Sequence, residues 1–276
     1  MKRRIIKFIV CLLLLGAAFY IPLFKFNFDV ASIITVTSLL FAILVGFFIA
    51  AATSNYLALQ SLIANEDAGL IAIYNYCNII APERISKVVD IIDRYAIAAL
   101  SFELTEYVDR TQTEFDDLNK TVEEIDFKDG RGEQLIQSLY EKKNDLYNTR
   151  QNIALVARRI VTKSHWFVLG SLAILIDLLI LAIRDGSFLS SLTTGILLIV
   201  TYITLSLLSD IDNNHFLEQA FSYDNSQQVF KILGKPRYYA ESFLKNSRIT
   251  KPKGSYRTGY YNSPTDNVIR FVDKPE

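Results

Sequence analysis

Cysteine is almost missing from this chain of 276 residues, and the two present, Cys11 and Cys77, have no partner at a useful spacing. That excludes a disulfide framework and a thiolate zinc set, and assigns both side chains to packing. Histidine is equally scarce, with His165 and His215 standing alone, so no His-Glu-x-x-His motif exists. Net charge is missing too. The 29 basic residues are balanced by 29 acidic ones, which argues against nucleic acid as a partner because phosphate binding needs a surplus of Lys and Arg. A phosphate-cradling loop is also lacking, since Gly130-Arg131-Gly132 has neither the third glycine nor a preceding strand. No nucleophile–base pair, metal set or cofactor motif can be assembled from these residues. The sequence reads as a non-enzyme without a cofactor.

What is present is apolar length. Half of the chain, 51%, is hydrophobic and the mean hydropathy is +0.23, high for a soluble globular protein. From Ala31 to Thr53 there are twenty-three residues without a charge, enough to cross a hydrocarbon layer of about 30 Å as one helix. Ser38, Ala42, Gly46 and Ala50 form a small-residue stripe along it that lets another helix approach closely. Leu39, Ile43 and Phe47 form a bulky stripe one position round. Such a stripe ordinarily faces lipid or a neighbouring helix; around a symmetry axis it would instead make three apolar rings that gate by dewetting. No turn signal follows, and Ser54 to Gln60 continues the same helix into water.

Three further apolar runs predict three further spans. Ile5 to Phe24 follows a basic start, Lys2-Arg3-Arg4, and Pro22 marks its far end. A basic start before a short apolar core also describes a secretory signal peptide, but Gly16-Ala17-Ala18 is a poor cleavage site and a second span follows within a few residues. Trp166 to Ile183 and Phe188 to Leu208 flank the short turn Arg184-Asp185-Gly186-Ser187. The basic residues at the amino terminus, with Arg158, Arg159 and Lys163 before the third span, place both of these sides in the cytoplasm. The predicted fold is therefore an all-α membrane protein of the inner cell membrane, with four transmembrane helices in two hairpins. Residues 1–55 hold the first hairpin (spans 5–24 and 31–53), 56–164 a helical cytosolic region, 165–208 the second hairpin (spans 166–183 and 188–208), and 209–276 a cytosolic tail.

Within the cytosolic region, Leu59, Leu62, Ile63, Leu70 and Ile73 continue an apolar face with Asn65-Glu66-Asp67 on the polar side. Pro82 opens a second helix on which Asp90, Asp93 and Arg94 read as a solvated face. A third helix runs from Glu133 to about Ser164, with Leu139, Leu146, Ile153 and Ile160 at seven-residue steps, and nothing in it signals a break before the membrane. In the tail a short helix, 226–233, ends at Gly234. Beyond it ten basic residues face four acids from Lys231 on, a pattern suited to anionic headgroups or to a disordered, solubilising end.

Asp177 lies near the middle of the third span, where a carboxylate costs about 2.5–3.5 kcal/mol to insert. Counted back from the outer turn it comes level with Thr193 and Thr194, which are placed to hydrogen-bond it. It is either part of an ion or proton path or a neutral acid tying two helices together.

Val45-Gly46-Phe47-Phe48-Ile49 leading into Asn55-Tyr56 resembles the neck helix of bestrophins and its cytoplasmic extension, most nearly that of bacterial bestrophin-like membrane proteins. Asn65-Glu66-Asp67-Ala68 through Ile71 and Tyr74, then Pro82 and Arg94-Tyr95, are similar to the first cytosolic helices of that group. Bestrophins are pentameric anion channels, so the resemblance implies a homo-oligomer in a lipid bilayer that conducts small inorganic ions. It puts the neck rings at Leu39, Ile43 and Phe47. The family's Arg-Trp-Trp after the neck is replaced by Tyr56-Leu57-Ala58, and its calcium clasp, Pro-Phe-Gly before an acidic run, is missing. Asp210, Asp212 and Glu218 hold a comparable place at different spacing and are the candidate cation-binding acids. Two other readings compete: a membrane-anchored scaffold or sensor with a helical docking region, and a proton-coupled transporter using Asp177.

Overall fold

The computed structural model describes residues 2–23, 29–102, 104, 106–125, 133–158, 160–212, 222–245 and 254–273. Ten helices occur among them: α1 (Lys2–Tyr20), α2 (Val30–Ile80), α3 (Ile85–Ser101), α4 (Tyr107–Arg110), α5 (Gln112–Glu123), α6 (Glu133–Val156), α7 (Lys163–Ala182), α8 (Phe188–Asp212), α9 (Ser222–Ile232) and α10 (Glu241–Lys245). Strands β1 (Tyr238–Ala240), β2 (Tyr256–Ser263) and β3 (Asp266–Val272) form one sheet in that order. The chain divides into two compact units, Met1–Ser54 with Arg159–His215, and Asn55–Arg158 with Phe216–Glu276.

The first unit holds α1, the first half of α2, α7 and α8. Three helices, α2, α7 and α8, are long and apolar enough to cross a membrane. The apolar part of α1, Ile5–Tyr20, is shorter, about 24 Å at 1.5 Å per residue. Asp29 starts α2 by accepting the N–H groups of Ala31 (3.1 Å) and Ser32 (3.3 Å). On α2 the inward face is Thr37, Val45, Phe48 and Ala52; the last three pack with Val161, Leu169 and Leu208. Although α1 is joined to α2 in sequence, it packs chiefly along α8. Gly195 permits that approach. A Cβ there would lie 2.6 Å from Cδ1 of Leu15, 3.3 Å from Cβ of Ala18 and 3.4 Å from the Leu15 backbone. Arg184 closes the end of this pair, donating from Nη1 to the carbonyl of Ala18 and from Nη2 to that of Ile21. Ala18 is in the last turn of α1, where no intrahelical donor remains, and Ile21 directly follows the helix.

The second unit buries one face of α2 (Leu59, Leu70, Ile73, Cys77) against α3, α5, α6, α9 and the sheet. Leu139, Leu146 and Ile153 of α6 are all in this core. The expectation that α6 continues unbroken into the membrane is corrected: it ends at Val156, and Ile160 lies outside it. The N–H groups of Ile160 and Val161 are taken by Oδ1 of Asp212, both at 3.0 Å. Thr162 then begins α7 with a capping box, accepting the His165 N–H while His165 Nδ1 accepts that of Thr162.

The all-α reading and the disordered end are corrected as well. β1 pairs parallel with β2, and β2 antiparallel with β3 from Tyr256↔Val272 to Ser263↔Asp266. Tyr256 to Ser263 and Asp266 to Val272 are rich in Tyr, Val, Ile and Phe, which suit a pleated surface. The turn between them is fixed by Ser263 Oγ accepting the Asp266 N–H at 3.0 Å and by Asn267 Nδ2 donating to the carbonyls of Ser263 and Pro264.

Candidate functional site

Along the face of α2 turned away from its packed neighbours, Leu39, Ile43 and Phe47 are 60%, 60% and 64% exposed. They recur every four residues, about 6 Å apart along the axis. Ala42, Gly46 and Ala50 are exposed beside them and Ser38 is half-buried; a Cβ added at Gly46 would meet nothing within 4 Å. Among the described residues, Leu39, Ile43 and Phe47 and their neighbours Ala42, Gly46 and Ala50 are left open. Phe48, next in sequence to Phe47, is buried, and its ring lies 4.8 Å from that of His165 and 5.5 Å from that of Phe47, centroid to centroid.

Asp177 is half-buried on α7, and its Oδ1 is buried without a partner. The side chain beside it is Thr201, a correction to the expectation of Thr193 or Thr194. Thr193 is exposed and Thr194 is buried on α8 near the Gly195 contact with α1. The count failed because it assumed a tight turn. Asp177 stands five residues before the end of α7 and Thr201 thirteen after the start of α8, so α8 begins about two helical turns beyond the end of α7. The Thr201 hydroxyl already donates to the Leu197 carbonyl at 3.1 Å.

The tail acids do not converge. Asp210 is ion-paired with Lys7 of α1, whereas Asp212 spends one oxygen on the two backbone N–H groups, its Oδ2 being buried and unpartnered. Glu218 lies outside the described residues. Among the described residues no three His, Cys, Asp or Glu side chains come close enough to hold a metal ion.

A second set of polar groups was not singled out in the sequence. Glu66, expected on the polar side of its helix, is buried, as is Asp93 from the expected solvated face. Oε1 of Glu66 accepts from the hydroxyls of both Tyr95 and Tyr107, which lie 2.5 Å from each other. Arg150, also buried, donates to Tyr95, to Thr111 Oγ1 (2.8 Å) and to the Val108 carbonyl (3.2 Å), and its guanidinium lies 4.2 Å from the Phe115 ring centroid. Burial pushes the Glu66 carboxyl up, opposed by Tyr107, Tyr95 and Arg150. Asp93 makes a two-pronged pair with Arg257 of β2, both contacts at 2.7 Å.

A family model described as the Bestrophin-like domain matches residues 23–214 of the chain, well over half of its length. The chain belongs to the Bestrophin-like family. Crystal structures of a bacterial bestrophin homologue from Klebsiella pneumoniae share the fold of this Bestrophin-like protein. One point variant superposes with a TM-score of 0.64 at 10% identity, covering 84% of this chain and 99% of that one. A second gives 0.62 at 11%, with the same coverage. The form phased on zinc gives 0.60 at 11%, over 84% and 98%. At such identity the likeness is one of fold. No curated protein matches the sequence. With helices of membrane-crossing length, this Bestrophin-like chain is an integral membrane protein.

Proposed function

We propose that this Bestrophin-like protein is the protomer of an ion channel, and that Leu39, Ile43 and Phe47 form its neck. One observation carries the reading. The three side chains are the exposed face of a helix that runs without a break from Val30 to Ile80, so copies arranged about an axis parallel to α2 would stack them as three apolar rings. Ala42, Gly46 and Ala50 supply the flank on which a neighbouring α2 would pack. The family resemblance supports five copies and anions as the cargo. It also supports four spans with both termini in the cytoplasm of an inner-membrane protein. Asp177, bonded within its own hairpin to Thr201, serves as a tie between helices in this reading.

The test begins with the mass of the detergent-purified assembly. A pentamer is the expected result, after which chloride flux from proteoliposomes is measured for Ile43→Ala and Phe47→Ala. Trimming an apolar constriction widens it and lowers the dewetting barrier, so flux is expected to rise, by about tenfold for each 1.4 kcal/mol removed. A monomer that persists in lipid leaves α2 no axis to line, and the anchored scaffold would then replace the channel.

A further inference from the structure

In the second unit a cavity of about 30 Å³ opens between α2, α3 and α9, room for a water molecule. Its walls are mostly apolar, with Ile63, Leu70, Leu100 and Ile153 among them, yet two consecutive carboxyls, Glu66 and Asp67, reach it. Ser226 of α9 donates to Asp67 Oδ2 at 2.9 Å. The groups facing this acid pair come from each helix packed around it: the Tyr95 phenol from α3, the Tyr107 phenol from α4, the Arg150 guanidinium from α6 and the uncharged Ser226 hydroxyl from α9. Burial and the nearby Glu66 push both phenols up, so they remain neutral donors. The charges do not balance if both acids ionise, because Arg150 neutralises one carboxylate and among the described residues no second cation faces the other. An uncompensated charge in an apolar pocket is the most costly arrangement available, and a proton removes it.

We propose that Asp67, set beside Glu66 and Ser226 at this cavity, is a proton-binding site that keeps α9 seated on α2. Burial, with Glu66 alongside, lifts the Asp67 carboxyl to about 8, the Ser226 hydrogen bond acting in the opposite sense. A folded-state value above the unfolded one, about 3.9, means that the folded protein holds the extra proton. The stability it contributes is complete below about pH 4 and is lost as pH rises through 8. Once Asp67 ionises, α9 covers a charge that water would solvate better, and lifting α9 off becomes favourable despite the Ser226 hydrogen bond, while the remaining anchors of that segment, such as the Gln227 amide paired with both backbone groups of Tyr238, stay uncharged and insensitive to pH.

The test is hydrogen–deuterium exchange of the α9 segment in the full-length protein in detergent, at about pH 6.5 and about pH 9, corrected for intrinsic exchange. Protection of α9 is expected to fall by about tenfold or more in the wild type, the size of one unit of proton linkage. In Asp67→Asn, which cannot titrate, it should stay level. A flat wild type, or a step that survives in Asp67→Asn, overturns the assignment. Ser226→Ala provides a second decision should Asp67→Asn fail to fold. It keeps the acid and removes a hydrogen bond that favours the ionised form, so the midpoint must move to higher pH. A midpoint that stays put or moves down rejects the site.

Discussion

The two halves of α2 solve the same problem in opposite ways. From Val30 to Ser54 the helix is apolar, but only one side of it is covered, and its bulkiest stripe is left open. From Leu59 to Cys77 it is mixed in composition, yet it buries its apolar face and a glutamate as well. The first half leaves its remaining surface to the surroundings, lipid or other copies, where exposed apolar area has no cost. The second half completes its own core and satisfies the polar group it buries. Interior and exterior on this helix are thus set by what is available to cover each face, and hydropathy alone does not rank them.

The sharpest way to break the comparison is to remove the group that makes the second half self-sufficient. Arg150→Ala leaves Glu66 and two phenols buried without their cation, and the loss is expected to be about 3–5 kcal/mol. It would be read as a lowered denaturation midpoint of the second unit, with limited proteolysis showing which segments open. A destabilisation under about 1 kcal/mol would show that water replaces the guanidinium. Asp212→Ala comes next. It strands the N–H groups of Ile160 and Val161, at a cost of about 1–3 kcal/mol, and faster amide exchange at 157–162 is the expected signature. The smallest effect belongs to Gly195→Ala. Its Cβ would displace the Leu15 side chain and crowd Ala18, costing about 1 kcal/mol, whereas the same change at the open Gly46 should leave the stability of the isolated protomer unaltered. An equal response at the two glycines would mean that Gly46 is already covered, which native mass spectrometry of the two variants would check.

The legible parts of the fold were those written in composition and period. The charge-free run of α2 and its continuation past Ser54 are visible in consecutive residues, as are the apolar runs that became α7 and α8. The break after Val156 was not, since no Pro or Gly stands there and the acid that holds the following backbone is 51 residues beyond Val161. Burial of Glu66 was hidden for the same reason: its partners Tyr95, Tyr107 and Arg150 are on three other helices, and each of those residues is unremarkable alone. The sheet was missed because Tyr-rich strands joined by Ser263-Pro264-Thr265 resemble a polar tail when the parallel partner, Tyr238 to Ala240, is out of view. For the candidate neck the spacing was plain. What sequence lacked was the exposure of Leu39, Ile43 and Phe47, which follows from Val45 and Phe48 being claimed by Leu169 and Leu208.

Arg184 also orders events in time. The last carbonyls of α1 are answered by a guanidinium that the ribosome adds 163 residues after Ile21, and the helix that α1 packs along, α8, is made later still. During synthesis the end of α1 therefore stays unanswered until Arg184 is made. Its docking is a closing step of biogenesis, and a chain interrupted before residue 184 would present α1 as a loose, quality-control-sensitive helix rather than as a finished wall.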